Sequence, residues 1–167
     1  MEFRNCNVEI DEFPFPDDSF DVVTCCQVLE HFVGSSLGTM AEIKRVLHPG
    51  GILEVDVPNV VCFRNRSRIL RGKNITFDYK KHYLYEESVL YKGHSFYPMR
   101  HNREFTRDEL YLLLDCAGFD DIRVSFLKSR RQRTGLERIR SVGSALRDAV
   151  PSLRKSLIAL AYKPQVS

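Results

Sequence analysis

No run of apolar residues in this chain approaches the ~20 that a helix needs to cross a bilayer, so no transmembrane segment is expected. The opening Met1-Glu-Phe-Arg-Asn lacks a basic region followed by an apolar stretch, so no signal peptide is expected and the expected location is cytoplasmic. Internal repeats and low-complexity segments are absent as well. So is an excess of one charge: 25 Lys and Arg face 22 Asp and Glu, giving +3 and a pI near 8.6. That balance is too mild to argue for nucleic acid by itself, and no DNA partner is expected. The five cysteines, Cys6, Cys25, Cys26, Cys62 and Cys116, follow neither zinc-site nor disulfide spacing, and their odd number argues against full pairing. Buried free thiols in a reducing compartment are the expected reading.

What is present is ordinary in amount. Hydrophobic residues make up 43% and charged residues 28% of 167 positions, which suits one domain with its own core, residues 1–167. Short apolar runs alternate with a helical pattern through the first half, the mark of an α/β fold. Residues 8–10 read as a short strand, followed by a loop over 11–19 that Pro14, Pro16 and the aspartates enforce. Residues 20–26 form an apolar run of the kind expected for a strand covered on both faces. Residues 37–47 read as a helix with Leu37, Met40, Ile43 and Leu47 on one stripe, stopped by His48-Pro-Gly-Gly51. A strand follows over 52–57 and ends at Pro58-Asn59.

The periodicity then fades. Residues 60–99 are basic and aromatic, with five of the seven tyrosines between Tyr79 and Tyr97. The stretch is too long for a plain connection, and 60–103 reads as a lid or substrate insertion. Order returns at Thr106, an N-cap whose capping-box partner is Glu109, with Leu110, Leu113, Leu114 and Ala117 as the apolar face and Gly118 at the C-cap. A strand over 121–126 follows. Residues 128–140 carry six basic side chains, and Leu136, Ile139, Gly143, Leu146 and Val150 mark an amphipathic helix through this region. Residues 156–163 are a last strand.

Several segments, in this order and spacing, resemble one family. They are Asp11-Glu-Phe-Pro-Phe-Pro-Asp-Asp-Ser-Phe-Asp-Val-Val23, Gln27-Val-Leu-Glu-His31, Glu42-Ile-Lys-Arg-Val-Leu-His-Pro-Gly-Gly51, Arg103-Glu-Phe-Thr106, Glu109-Leu110 and Ala117-Gly-Phe119. Together they resemble the class I S-adenosylmethionine-dependent methyltransferases, the type 11 group in particular. The resemblance implies a Rossmann-like α/β sheet, S-adenosylmethionine as cofactor and methyl transfer to a small-molecule acceptor. Pro58-Asn59, Arg64-Asn-Arg66, Leu70-Arg-Gly-Lys73 and His101-Asn-Arg-Glu-Phe-Thr106 resemble a subgroup associated with cell-surface sugar or lipid biosynthesis, which implies a sugar or lipid precursor as acceptor.

Carried over residue by residue, the resemblance implies that the Asp11 carboxylate accepts from the adenine amino group and that the Glu12 backbone serves the adjacent ring nitrogen. It places Gln27 near the cofactor's methionyl end, with Cys26 lining the same place through its backbone, at the crevice where open α/β sheets bind ligands. Glu30 and His31 would reach the acceptor, and an imidazole titrating near neutrality suits a base. His101 and Arg103 would face the acceptor if the insertion is a lid, and Arg103 suits a carboxylate or phosphate. Taken on the residues alone, Asp11 also reads as a loop cap, His31 as a capping or packing residue, and His101 and Arg103 as ordinary loop positions. Asp17-Asp18 read as a solvated turn, Glu54 and Asp56 as sheet-end residues, and no metal is expected. The tyrosines with Lys80, Lys81 and His82 would stack nucleobases or pack as a lid. The basic run would meet anionic lipid or a phosphorylated substrate, or form a solvated face.

The sequence departs from the family in one respect. The family's Glu/Asp-x-Gly-x-Gly loop and the acidic residue ending its second strand have no counterpart here, so an N-terminally truncated sheet is expected. In the family the first strand lies beside the fourth. Residues 20–26 are therefore expected to form an exposed apolar edge, and such edges pair with other chains. Self-association follows as an expectation. Two other functions stay open: a non-catalytic remnant of the fold serving as an interaction module, and an RNA-binding methyltransferase.

Overall fold

In a computed structural model, residues 3–76, 78–128 and 149–165 are described. The chain forms β1 (Phe20–Cys26), a 3-10 turn (Leu29–His31), α1 (Leu37–Val46), β2 (Leu47–Pro58), α2 (Phe63–Ile69), a π-helical turn (Lys80–Leu84), β3 (Val89–Tyr91), β4 (His94–Phe96), α3 (Arg107–Cys116), β5 (Asp120–Leu127), a 3-10 turn (Pro151–Leu153) and β6 (Ser156–Tyr162). A four-stranded sheet runs in the order β1-β2-β6-β5. β1 and β2 are parallel, and β6 is antiparallel to both β2 and β5.

Two-residue alternation decides which face of this sheet is buried. Leu53, Val55 and Val57 of β2 and Leu157, Ala159 and Ala161 of β6 have no solvent exposure. Met40 and Ile43 of α1, Leu110 and Leu114 of α3, and Phe105 and Phe119 join them in one core. Each fully buried large aliphatic side chain there contributes about 1.5–3 kcal/mol of transfer free energy. The intervening residues Ile52, Glu54, Asp56, Ile158, Leu160 and Tyr162 are half-buried on the other face.

Several expectations need correction. Residues 8–10 are a turn, not a strand: the Ile10 and Asp11 N–H groups both donate to the Asn7 carbonyl, and Glu9 spends its carboxylate on the Val33 and Gly34 N–H groups. The strand at 20–26 is present but is not covered on both faces. It is the sheet's end strand; only Cys25 is buried, and Val22 is 52% exposed. The buried stripe of α1 is Thr39, Met40, Ile43 and Val46, while Leu37 is exposed and Leu47 already belongs to β2. The helix therefore stops before His48-Pro-Gly-Gly51, which lies inside β2. Glycine is needed there for two reasons: Gly50 has φ +79°, and a side chain on Gly51 would meet the His48 carbonyl at 2.8 Å.

The helix beginning at Thr106 forms as expected. The Glu109 N–H donates to Thr106 Oγ1, and the Thr106 N–H donates to Glu109 Oε2 at 2.8 Å, completing the capping box. At its other end Gly118 takes φ +75°, and Lys44 of α1 donates to the Ala117 and Gly118 carbonyls. Residues 60–103 contain more order than their composition suggests. Lys92 (φ 48°) and Gly93 (φ 81°) make the two-residue left-handed turn that closes the β3–β4 hairpin. Most of the basic run at 128–140, and the amphipathic helix read through it to Val150, lie outside the described residues.

Candidate active site

β1 and β2 run parallel, so their carboxyl ends emerge together, the place where open α/β sheets receive ligands. The backbone turns sharply there. Gln27 takes a left-handed φ of 54°, and its N–H donates to the Asp56 carbonyl at 2.8 Å. Burial raises the pKa of the Asp56 carboxyl and outweighs the opposing effect of the Gln27 side chain. Cys26 and Gln27 are both exposed at this edge. Burial, with Asp56 and Glu54 nearby, pushes the Cys26 thiol up.

The 3-10 turn Leu29–His31 follows at once. Glu30 is fully buried, and neither of its carboxylate oxygens has a hydrogen-bond partner among the described residues. Burial raises its pKa; its own backbone N–H and the neighbouring His31 act in the opposite sense and are outweighed. The Glu30 carbonyl accepts from the N–H groups of Asn102 (2.7 Å) and Arg103 (3.2 Å), and the Asn102 side chain donates to the His31 carbonyl at 2.7 Å. These three bonds tie residues 101–103 to the turn. As a result the His31 and His101 rings meet edge to face, with centroids 4.9 Å apart.

Each ring is held from behind. His31 Nδ1 is 3.0 Å from the Arg100 carbonyl, and His101 Nδ1 is 3.7 Å from Glu104 Oε1. Burial and the neighbouring His31 lower the pKa of His101. Glu104 is fixed in turn by Asn65, which is fully buried and donates to Glu104 Oε2 at 2.6 Å and to the Val60 carbonyl at 2.9 Å.

A cavity of about 280 Å³ opens beside His101, lined by Ile75, His82, Tyr83, Arg100 and Arg103 among others. Arg100 stacks on the Tyr97 ring at 3.6 Å, and the Tyr83 hydroxyl donates to the His101 carbonyl. Arg103 lines the cavity, but its guanidinium pairs with Glu109 at 2.8 Å.

Asp11 sits in a second grouping. Its Oδ2 accepts from the Tyr91 hydroxyl (2.7 Å) and the Asn7 N–H (2.9 Å), and its Oδ1 from Lys92 (2.7 Å). The hydrogen bond from Lys92, then those from Asn7 and Tyr91, hold its carboxyl down at about 2. The loop carrying it is pinned to α1: Arg45 binds the Phe13 and Phe15 carbonyls and Asp17, and Glu42 accepts from the Phe13 N–H. Glu12 is exposed on this loop. Asp17 pairs with Arg45 and Asp18 with Lys163, consistent with a structured turn.

The structure thus brings together Glu30, His31, His101 and Arg103, and separately Cys26 with Gln27. It gives Asp11 to the hairpin. Sequence reasoning missed Glu104, Asn65, Arg100 and Tyr83 as supporting residues. The signal available was proximity: Arg100 and Glu104 flank His101-Asn-Arg103, and Asn65 lies inside the Arg64-Asn-Arg66 motif.

The chain is similar in sequence and in fold to known proteins. Residues 1–55 match the family described as a methyltransferase domain. Over 124 residues the chain is 33% identical to the demethylmenaquinone methyltransferase of Geobacillus stearothermophilus, covering 68% of this chain and 47% of that protein. The chain therefore spans about half the length of that curated relative. Among solved structures it is similar to an S-adenosylmethionine-dependent methyltransferase from Archaeoglobus fulgidus, with TM-score 0.56 and 13% identity over 96% of this chain and 66% of that one. It is also similar to Haemonchus contortus phosphoethanolamine N-methyltransferase 2, solved with phosphomonomethylethanolamine and S-adenosylhomocysteine, with TM-score 0.53 and 16% identity over 96% of this chain and 37% of that one. At such identities the structural likeness is one of fold. Among the described residues no helix is long and apolar enough to cross a membrane.

Proposed function

We propose that this chain, which belongs to the class I S-adenosylmethionine-dependent methyltransferase family, serves methyl transfer from S-adenosylmethionine to a small-molecule acceptor, a sugar or lipid precursor, in the cytoplasm. In that reaction the acceptor atom bonds the methyl carbon as the carbon–sulfur bond breaks, S-adenosylhomocysteine leaves, and the acceptor gives up a proton. The protein's share is alignment and proton removal. The single observation behind the reading is the backbone clamp from Asn102 and Arg103 to Glu30, which sets two imidazoles side by side next to a cavity at the carboxyl end of β1.

In this reading Gln27 and Cys26 border the cofactor's methionyl end, Asp11 and Glu12 its adenine, and residues 60–103 form the lid. His31 and His101 stand at the acceptor, and Glu30 and Arg103 orient it. Burial and the neighbouring His31 lower the pKa of His101, which favours the neutral ring, the form that accepts a proton. Titrating S-adenosylhomocysteine into the 167-residue protein by calorimetry tests the proposal. Micromolar binding is expected, and no binding up to millimolar concentration overturns it for this chain.

One observation favours a second reading, an interaction module without catalysis. The Asp11 carboxylate, assigned to adenine, is filled by Tyr91, Lys92 and Asn7. The same titration separates the two.

A further inference from the structure

Glu30 presents a problem that methyl transfer alone does not resolve. A buried carboxylate with no hydrogen-bond partner is costly in a low-dielectric interior unless it takes up a proton, is paired or coordinates a metal. Glu30 has no exposed surface, and both of its oxygens lack a hydrogen-bond partner among the described residues. Beside it stand two imidazoles, His31 and His101, and the carboxyls of Asp56 and Glu104 are near enough to act on it. One donor atom each from Glu30, His31 and His101 lies within 4.8 Å of the other two.

We propose that Glu30, His31 and His101 form a binding site for a first-row divalent cation. Two histidines and one carboxylate are a donor set that suits zinc, manganese or cobalt, and three protein ligands leave coordination positions open for a substrate oxygen. The surroundings agree. A metal-bound histidine commonly gives its second ring nitrogen to a carbonyl or carboxylate, which fixes the tautomer and the ring's direction. His31 Nδ1 faces the Arg100 carbonyl at 3.0 Å, and His101 Nδ1 faces Glu104 Oε1 at 3.7 Å. Both arrangements leave Nε2 as the ligand atom. Glu104 is itself anchored by Asn65, so the support extends one residue further.

The donors must draw in somewhat on binding. Ligands about 2.1 Å from a tetrahedral zinc stand roughly 3.4 Å apart. His31 and His101 are only half-buried and have room to adjust, while Glu30 is fixed by its turn. The site draws from two distant segments, and the clamp from Asn102 and Arg103 to the Glu30 carbonyl is what assembles it.

The inference rests on the proposed function only for its place beside the acceptor. There, a bound cation would hold an acceptor oxygen and acidify it, and the two histidines would serve as ligands rather than as bases. The cation site itself stands without any methyl transfer.

Chelator-treated full chain titrated with Co²⁺, read by visible absorption and by calorimetry, tests the site. One equivalent is expected to bind at micromolar concentration, with absorption bands of a nitrogen- and oxygen-ligated ion. Glu30→Gln and His101→Asn should each weaken binding at least 100-fold, whereas His94→Asn, on the hairpin, should leave it unchanged. Glu30→Gln keeps a polar group of the same size, and His101 is partly exposed, so circular dichroism can confirm that both variants fold. No saturable binding below millimolar Co²⁺, or binding indifferent to both substitutions, overturns the proposal. S-adenosylhomocysteine titration in the presence of chelator reads the methyltransferase proposal separately. Cofactor binding without Co²⁺ binding sinks the cation site alone, and the reverse result sinks the methyltransferase proposal alone.

Discussion

The Tyr91 hydroxyl donates to Asp11 Oδ2 at 2.7 Å, joining residues 80 positions apart. With Lys92 on the other oxygen, the β3–β4 hairpin is latched onto the carboxylate assigned to adenine. We propose that the hairpin and the cofactor compete for Asp11, so that the hairpin would have to give way before adenine could bind there.

That competition has a titration signature. Asp11 titrates near 2, below the ~3.9 of an unperturbed aspartate. A depressed folded-state pKa means that the latch favours the folded arrangement fully above the unfolded value and loses that contribution as pH falls through about 2. Carboxyl NMR should place Asp11 well below its neighbours, and Lys92→Ala should move it back toward the ordinary value. An ordinary pKa in the wild type would dismiss the latch. If adenine does use Asp11, combining Tyr91→Phe with Lys92→Ala tightens S-adenosylhomocysteine binding. Weaker or unchanged binding takes Asp11 out of the cofactor site.

The capping box at Thr106 and the core beneath it make a graded pair. Thr106→Ala removes the acceptor for the Glu109 N–H and should cost about 1 kcal/mol. Leu114→Ala opens a cavity at a position with no exposure and should cost about 2–5 kcal/mol. Urea denaturation with an unchanged slope checks both. Equal losses would contradict the packing described above.

We propose that β1, bonded among the described residues only to β2 within the sheet, pairs with a second copy of the chain. Light scattering should show association that rises with concentration, and Thr24→Lys, an exposed position on that strand, should reduce it. A clean monomer at high concentration removes the proposal.

The local elements, and the resemblance to the family, are legible from short stretches of residues. The strands near 20–26, 52–57, 121–126 and 156–163, the Thr106–Glu109 cap and the Gly118 stop depend on neighbours within a few residues, which propensity and spacing record. The local pattern misread Val8–Ile10 because Asn7 and Glu9 engage the backbone there, and tertiary contacts outweigh β propensity. It also passed over the Lys92-Gly93 hairpin inside an aromatic stretch. Which candidates meet depends on long-range packing. His31 and His101 are 70 residues apart in sequence and touch because Asn102 and Arg103 bond the Glu30 carbonyl. No local pattern encodes that pairing, since it arises where the end of β1 and the segment before α3 pack together. The same holds for Asp11: its type and place in the loop were readable, but its partner was not, because the hairpin reaches it from a distant part of the chain.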